Sequence, residues 1–266
     1  MSDPPELPPF EPELHLLLRA AAAEELVALL RAHAPELAPP AVRQALRNPY
    51  CTAEAIELLA GEERLLSFYE VRRDFALHPL TPDTLASRFV PTLYWRDLMA
   101  LALDLRLRPA LRRAAEIHLG ARLPGMAVGE KISLARRAGG AVLAQLRHDP
   151  SLRVIAALLD NPRLTEGVLA PVLSSARTPP AILELIAGDR RWGVRYPLRL
   201  ALVRNPATPL QLAWRLLESL RPSDLRPVAA DPRLPEPVRR RARVLLEGTG
   251  GGRQGGKPGG KPDKKA

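Results

Sequence analysis

Residues 198–220 read LRLALVRNPATPLQLAWRLLESL, two apolar segments separated by the joint Asn205-Pro206-Ala207-Thr208-Pro209. The apolar residues on both sides of the joint recur at helical spacing. Because a residue that precedes proline avoids the helical region, the first helix is expected to end at Asn205. Thr208 suits the N-cap of the second helix, and Pro209 suits its first position, where no N–H is needed. The stretch therefore predicts two short helices joined by a tight turn.

Related joints recur along most of the chain. Weaker joints near residues 104 and 176 supplement the main ones, and several of the resulting intervals measure 26 to 30 residues. A period of this length is typical of stacked helix pairs, and the irregular intervals between them indicate degenerate copies. The aromatic content is 4%, and no sustained alternation of polar and apolar residues occurs. The predicted fold class is all-α, an α-solenoid of degenerate helix-turn-helix repeats. The main joints are anchored at Asn48, His78, Asp149, Asn161, Asn205 and Asp231.

Composition predicts how the chain is divided. Residues 13–31 are expected to open the repeats as one amphipathic helix. Gly and Pro mark a break near the middle, and a stretch without large apolar side chains ends the chain. The predicted segments are a disordered lead at 1–12, acidic helical repeats at 13–119, a break at 120–129, basic helical repeats at 130–247 and a disordered Gly/Lys-rich tail at 248–266.

Charge is distributed unevenly along the sequence. Residues 1–120 carry 13 basic and 17 acidic side chains, a net −4, whereas residues 121–247 carry 21 and 11, a net +10. Residues 248–266 carry 5 and 1, a net +4. A basic half that follows an acidic half indicates an anionic partner or an interaction between the halves. The 34 Arg against 5 Lys are also typical of a compositional bias, so both interpretations stay open.

The Asn-Pro-x-Thr-Pro joint at 205–209 and the related joints at Asn48 and Asn161 resemble HEAT-like repeats and the bacterial leucine-rich repeat variant, as do residues 149–154. The resemblance covers roughly residues 41–246. It implies a helical repeat fold whose members mostly mediate protein–protein contacts. The leucine-rich repeat variant family is also associated with a cysteine-ligated iron–sulfur cluster. This sequence has the single cysteine Cys51, so that cofactor is not carried over.

The first candidate binding cluster is RRWGVRY at 190–196. If the segment is helical, Arg191, Arg195 and Arg199 share a face, although Pro197 weakens that interpretation. Arginine next to aromatic rings suits phosphate, nucleic acid or a carboxylate on a protein. The alternative is a tryptophan packed between repeats and surrounded by solvated arginines. The candidate residues are Arg191, Trp192, Arg195, Tyr196 and Arg199.

The second candidate cluster is the basic run on the last predicted helix, 237–246. Cations near a helix C-terminus favour the helix dipole, which accounts for part of the pattern. Together with the basic tail, the run could instead form a phosphate-binding end. The candidate residues here are Arg239, Arg240 and Arg243, with Arg241 in the same run.

Signals for cofactor, metal or membrane binding are weak. The five histidines are scattered, and no His/Cys group has metal-ligand spacing. The glycines at 248–260 lack the strand and helix that a phosphate-binding loop requires. No apolar run approaches the roughly 18 residues of a membrane span, and the N-terminus lacks the features of a signal peptide. We expect no cofactor, no metal, no small-molecule ligand and no membrane contact, and a cytoplasmic location.

These observations predict a non-catalytic scaffold that binds a protein partner, with an acidic partner favoured. The alternative is a nucleic-acid-binding solenoid that uses the same arginines on phosphates. A third possibility is an enzyme that acts on nucleic acid, because some DNA glycosylases are built from HEAT-like repeats. No residue of this sequence can be matched to such a catalytic site.

Overall fold

Helices provide all of the regular secondary structure in the part of the chain that the computed structural model describes, residues 12–250. The all-α class is therefore confirmed for these residues. Most of the predicted lead and tail, 1–11 and 251–266, lies outside them. Helix occupies the remaining positions of those two predicted segments, Pro12 and 248–250.

The chain divides into two compact units, an N-terminal unit that ends at Ala127 and a C-terminal unit that begins at Val128. This boundary lies inside the predicted break at 120–129. The described part of the N-terminal unit contains three single-turn 3-10 helices, at Ala34–Glu36, Val90–Thr92 and Leu123–Gly125. Its α-helices are α1 (Pro12–Ala20), α2 (Ala23–His33), α3 (Pro39–Leu46), α4 (Ala53–Ala60), α5 (Glu63–Leu66), α6 (Tyr69–Leu77), α7 (Asp83–Phe89), α8 (Trp95–Leu103) and α9 (Pro109–Arg122).

The C-terminal unit is built from helices of similar length. Proline lies inside two of them, at Pro171 and Pro227. The helices are α10 (Val128–Ala135), α11 (Gly140–Leu146), α12 (Leu152–Leu159), α13 (Glu166–Ser174), α14 (Pro180–Gly188), α15 (Tyr196–Val203), α16 (Leu210–Leu217), α17 (Pro222–Ala230) and α18 (Glu236–Gly250).

Helices within each unit pack on the next helix and also on the second helix along the chain. The most extensive contacts join consecutive helices, α8 with α9 and α17 with α18. In the N-terminal unit α1 contacts α3, α2 contacts α4 and α7 contacts α9; in the C-terminal unit α10 contacts α12, α11 contacts α13, α12 contacts α14 and α13 contacts α15. The contacts are made by fully buried aliphatic side chains such as Leu59, Leu98, Leu183 and Leu217. Burial of this apolar surface is the main favourable term that holds each unit together.

The prediction of one helix over 13–31 is wrong, because α1 ends at Ala20 and α2 begins at Ala23. Ala22 is extended, with φ −66° and ψ 163°. The Asn48 amide donates to the backbone oxygens of Leu18 and Ala21, at 3.0 and 2.8 Å. These bonds satisfy carbonyls that a continuous helix would have used internally. The break thus depends on a residue 27 positions later in the chain.

The joints share one type of hydrogen bond. In each, the anchor side chain accepts from the backbone N–H two residues later, at 2.7–3.3 Å, which holds the turn as Asx residues do. Asparagine anchors add a second role, because their amides also donate to carbonyls at the end of an earlier helix. Asn161 donates to Ala135 and Ala138, and Asn205 donates to Leu173 and Ser175. The anchors within the described residues are Asn48, His78, Asp104, Asp149, Asn161, Ser175, Asp189, Asn205 and Asp231.

The capping role predicted for Thr208 is wrong. Its hydroxyl donates backward to the Leu202 carbonyl at 2.6 Å, and Pro209 takes the N-cap position of α16 without a side-chain cap. Thr178 makes the equivalent bond to Val172, also at 2.6 Å. These buried threonines therefore satisfy a carbonyl at the end of the preceding helix rather than an N–H of the following one.

The two units are copies of one arrangement. Residues 57–122 and 184–249 are identical at 24 of 66 positions when they are aligned with an offset of 127. Six helices of the N-terminal unit begin 127 residues before a helix of the C-terminal unit. The matched pairs are α3 and α13, α4 and α14, α6 and α15, α7 and α16, α8 and α17, and α9 and α18.

The copies also share their side-chain bonds. The Tyr69 hydroxyl donates to Asp97, and the Tyr196 hydroxyl donates to Asp224. Arg106 pairs with Asp104, as Arg233 pairs with Asp231. Each of these residues lies 127 positions from its counterpart. The duplication therefore preserves hydrogen bonds as well as helix positions.

Candidate binding surface of the C-terminal unit

Trp192 lies in a turn at 190–194, so the helical face proposed for the three arginines does not form. Its side chain is 1% exposed, and its Nε1–H donates to the Leu159 carbonyl at 3.0 Å. The turn is tight at Gly193, where an added Cβ would lie 2.1 Å from the Ala187 oxygen. Trp192 is therefore a core residue with its polar atom already bonded.

Arg191 and Arg195 both lie over the ring of this tryptophan. Their guanidinium carbons lie 4.5 and 4.9 Å from the Trp192 ring centroid. Arg191 also donates to the carbonyls of Asn161 and Leu164, 27 to 30 residues earlier. The Arg195 guanidinium pairs with the carboxylate of Glu166. Both arginines are thus committed to the neighbouring joint and helix.

Tyr196 and Arg199 lie on α15, and Pro197 falls in its first turn rather than breaking it. The Tyr196 hydroxyl donates to Asp224 and accepts from the backbone N–H of Arg221, at 3.0 Å. Arg199 donates to the Val194 carbonyl at 2.9 Å, which closes the turn before the helix. These bonds tie α15 to α17.

The N-terminal unit makes equivalent bonds at the positions of Arg191 and Tyr196, although Leu65 and Phe68 replace Trp192 and Arg195 there. Arg64, the counterpart of Arg191, donates to the carbonyls of Pro35 and Leu37. Burial raises the pKa of Tyr69, the counterpart of Tyr196, to about 12, and its bond to Asp97 adds to the effect. Contacts present in both copies are explained by the scaffold they share. They give no reason to assign Arg191 or Tyr196 to a partner.

The arginines of α18 divide into paired and unpaired groups. Arg239 and Arg243 both pair with Glu236, and Arg241 pairs with Glu218 on the neighbouring helix. Arg240 makes no ion pair within the described residues. It is therefore the member of this run whose charge is free for a ligand.

Arg240 lines a cavity of about 730 Å³ between α16 and α18. The apolar part of the wall is made by Trp214, Pro237 and Val244, of which Val244 is 50% exposed. Arg215 lines the same cavity and also lacks an ion pair in the part of the chain that the structure describes. The Trp214 Nε1–H is buried and has no hydrogen-bond acceptor among the described atoms. We call this cavity the α16–α18 groove.

Trp214 and Arg215 were missed by the sequence reasoning. In residues 210–220 the helical spacing of leucines was assigned to the core, and the tryptophan between them was given no role. The available sequence signal was the position of Trp214, four residues after Leu210 and next to Arg215. Whether such a residue faces the core or a groove is decided by the partner helix, α18, whose first residue lies 19 positions after the last of α16.

Other sites of chemical interest are few. Within residues 12–250 no group of three His, Cys, Asp or Glu side chains is arranged to hold a metal ion. Burial raises the pKa of the Cys51 thiol to about 11, so this cysteine is a weak nucleophile at neutral pH. Among the described helices none is long and apolar enough to cross a membrane.

Comparison of the chain with protein-family models, with curated proteins and with solved structures finds no match.

Proposed function

We propose that the protein is a binding scaffold and that its C-terminal unit recognises an acidic protein partner. The proposal includes a solenoid arrangement for each unit, which is supported by the packing of helices on the second helix along the chain. Such stacking creates extended surfaces from exposed helix positions, and binding is the common use of those surfaces. The HEAT-like or leucine-rich repeat variant relationship is part of the same proposal.

The observation that carries the proposal is the difference in charge between two copies of one scaffold. The described part of the N-terminal unit, 12–127, holds 14 basic and 14 acidic side chains. The described part of the C-terminal unit, 128–250, holds 20 and 11, a net +9. Because the described part of the N-terminal unit has the same helical arrangement and no net charge, the fold itself does not require an excess of basic side chains. A concentrated positive charge attracts anionic partners and raises their association rate.

Few of these cations are neutralised internally. Six of the 20 form ion pairs within residues 128–250: Lys131, Arg195, Arg233, Arg239, Arg241 and Arg243. Several others donate to backbone carbonyls, which leaves their charge uncompensated. Arginine suits carboxylates because its planar guanidinium can make two parallel hydrogen bonds.

Nucleic acid is the competing anion, since phosphates would be attracted by the same excess. Selection of a random-peptide phage library on the immobilised, nuclease-treated full chain separates the two. We expect enrichment of peptides rich in Asp and Glu whose binding weakens as salt is raised. The proposal is wrong if no peptide is enriched above a blank surface while labelled single-stranded or duplex DNA binds the same preparation.

A further inference from the structure

We propose that the α16–α18 groove is the docking site for a segment of the acidic partner that presents an apolar side chain next to a carboxylate. This inference rests on the protein-binding role proposed above and names the surface and the chemistry that would carry it.

The groove has the size and the apolar wall of a binding pocket. Its volume, about 730 Å³, lies within the range of roughly 300–1,000 Å³ that is typical of ligand sites. The Trp214 ring, Pro237 and Val244 form an apolar surface beside charged residues. Tryptophan in a partly open pocket is the residue type that most often dominates binding energy at protein interfaces. An apolar side chain from a partner would cover this surface and exclude water from it.

Trp214, Arg215 and Arg240 bring hydrogen-bond donors to the groove, and these favour a ligand that presents oxygen acceptors. The Trp214 Nε1–H is shielded from solvent and lacks an acceptor among the described atoms, which is an unfavourable state for a strong donor. Arg215 and Arg240 line the same cavity without ion pairs in the described structure. A carboxylate in the groove would accept from a guanidinium. The indole N–H is shielded, so an oxygen of the partner would accept from it only after the Trp214 ring turns toward the groove.

Two acidic residues in the wall favour a peptide over a nucleic acid strand. Glu218 and Glu236 line the cavity, where they pair with arginines of α18. A nucleic acid strand brings a phosphate at every nucleotide, and these carboxylates would repel the additional phosphates. A peptide can place one carboxylate between Arg215 and Arg240 and keep neutral groups near the glutamates.

The N-terminal unit supplies a natural control. The counterparts of Arg215 and Arg240 are Arg88 and Arg113, which also lack ion pairs in the described residues. The counterpart of Trp214 is Ser87. The two copies therefore share the arginines and differ in the aromatic wall, so variants of Arg88 and Arg113 remove equal charge from residues that do not line the proposed groove.

The probe is a fluorescein-labelled acidic amphipathic peptide of about 15 residues, with leucines at helical spacing, glutamates only beside two of the leucines and neutral polar residues elsewhere. Its affinity for the full chain is measured by fluorescence anisotropy. A peptide with glutamine in place of glutamate tests the need for carboxylates, and a labelled oligothymidylate of similar length tests nucleic acid. The variants are Trp214→Ser, Trp214→Phe, Arg215→Gln and Arg240→Gln, with Arg88→Gln and Arg113→Gln as matched controls.

We expect Trp214→Ser to weaken acidic-peptide binding about 10-fold or more, and Arg215→Gln and Arg240→Gln to weaken it about 5-fold each. Trp214→Phe keeps the ring but removes the donor, and a loss of about 3-fold is expected. Thermal unfolding of each variant should match wild type, and the two control variants should bind the peptide as wild type does. The glutamine peptide should bind weakly.

Three outcomes would overturn the inference. If the acidic peptide binds and all groove variants bind it equally well, the docking site lies elsewhere, although the proposed function stands. If the controls lose as much affinity as the groove variants, binding depends on overall charge and not on this groove. If the wild-type chain does not bind the acidic peptide, or if oligothymidylate binds with the same dependence on Trp214, both the inference and the acidic-protein proposal fail.

Discussion

The N-terminal and C-terminal units are two versions of the same helical arrangement, and their differences separate scaffold from function. Shared residues such as Tyr69 and Tyr196 make the same bonds in both units. The differences add charge: Ala114 and Glu116 are replaced by Arg241 and Arg243, 127 residues later. Aromatic residues also change, from Leu65 and Ser87 to Trp192 and Trp214. Of those two tryptophans, one is in the core and the other lines a groove. Position in the repeat, and not residue type, thus decides which one is available to a partner.

The largest expected effect comes from the buried tryptophan. Replacing Trp192 by Ala should destabilise the protein by about 3–5 kcal/mol, because it leaves a cavity and removes the bond to Leu159. Urea unfolding followed by circular dichroism measures the loss. Trp192→Leu, which introduces the residue of the N-terminal unit, should be clearly milder. Unchanged stability with lost peptide binding would instead make Trp192 a contact residue.

Loss of an asparagine anchor should come next. Asn205→Ala removes two bonds to carbonyls at the end of α13 and one from the Ala207 N–H, and about 2–3 kcal/mol of stability should be lost. Ser175, an anchor with a single exposed turn bond, is the matched control, and Ser175→Ala should cost less than about 1 kcal/mol. Equal costs at the two positions would contradict the role assigned to the asparagine amide.

The tyrosine pair offers a test of equivalence between the units. Tyr69→Phe and Tyr196→Phe each remove one bond to a carboxylate, and each should lower the free energy of unfolding by about 1.5–2 kcal/mol. Thermal denaturation under identical conditions gives the comparison. A large effect in one unit and none in the other would show that the same hydrogen bond contributes differently to the free energy of unfolding in the two units.

The smallest effect concerns pH and His78, the counterpart of Asn205. Burial lowers the pKa of His78 below 6.5, opposed by a hydrogen bond to the Leu46 backbone, while the charge of Arg106 lowers it further. The unfolded chain then binds the proton more readily than the folded one. The stability contribution should be complete above pH 6.5 and lost as pH falls from there through the lowered folded-state pKa. His78→Asn introduces the residue that the C-terminal unit has at this position, and it should remove the part of the pH dependence of stability that comes from His78. Unfolding measured between pH 7 and 5 tests this, and a pH profile equal to that of wild type would contradict the role assigned to His78.

Local sequence signals predicted most helices, and the errors occurred where contacts with distant residues determine the structure. The two short helices predicted on either side of the joint at 205–209 form as α15 and α16. Helix α17 was missed because Pro227 interrupts its pattern, yet the helix forms where Leu225 and Val228 are buried. The opening helix was predicted without its break, since that break depends on Asn48, far along the chain.

The candidate residues were harder to predict because exposure and pairing depend on neighbouring repeats. Arg239 and Arg243 were grouped with Arg240 by sequence, but Glu236 pairs with the first two and leaves the third. The offset of 127 was not recognised from the sequence, although it separates the joint anchors His78 and Asn205. Only the short intervals between successive joints were compared, and these do not reveal the longer period.

The most direct test of the central claim is a salt titration of acidic-peptide binding to the full chain and to a chain that ends at Gly250. The account predicts that affinity survives truncation within about 2-fold and falls steeply as salt rises, because the folded C-terminal unit provides the cations. Binding that disappears together with residues 251–266, which hold Arg253 and four lysines, would place recognition in that segment and contradict the account.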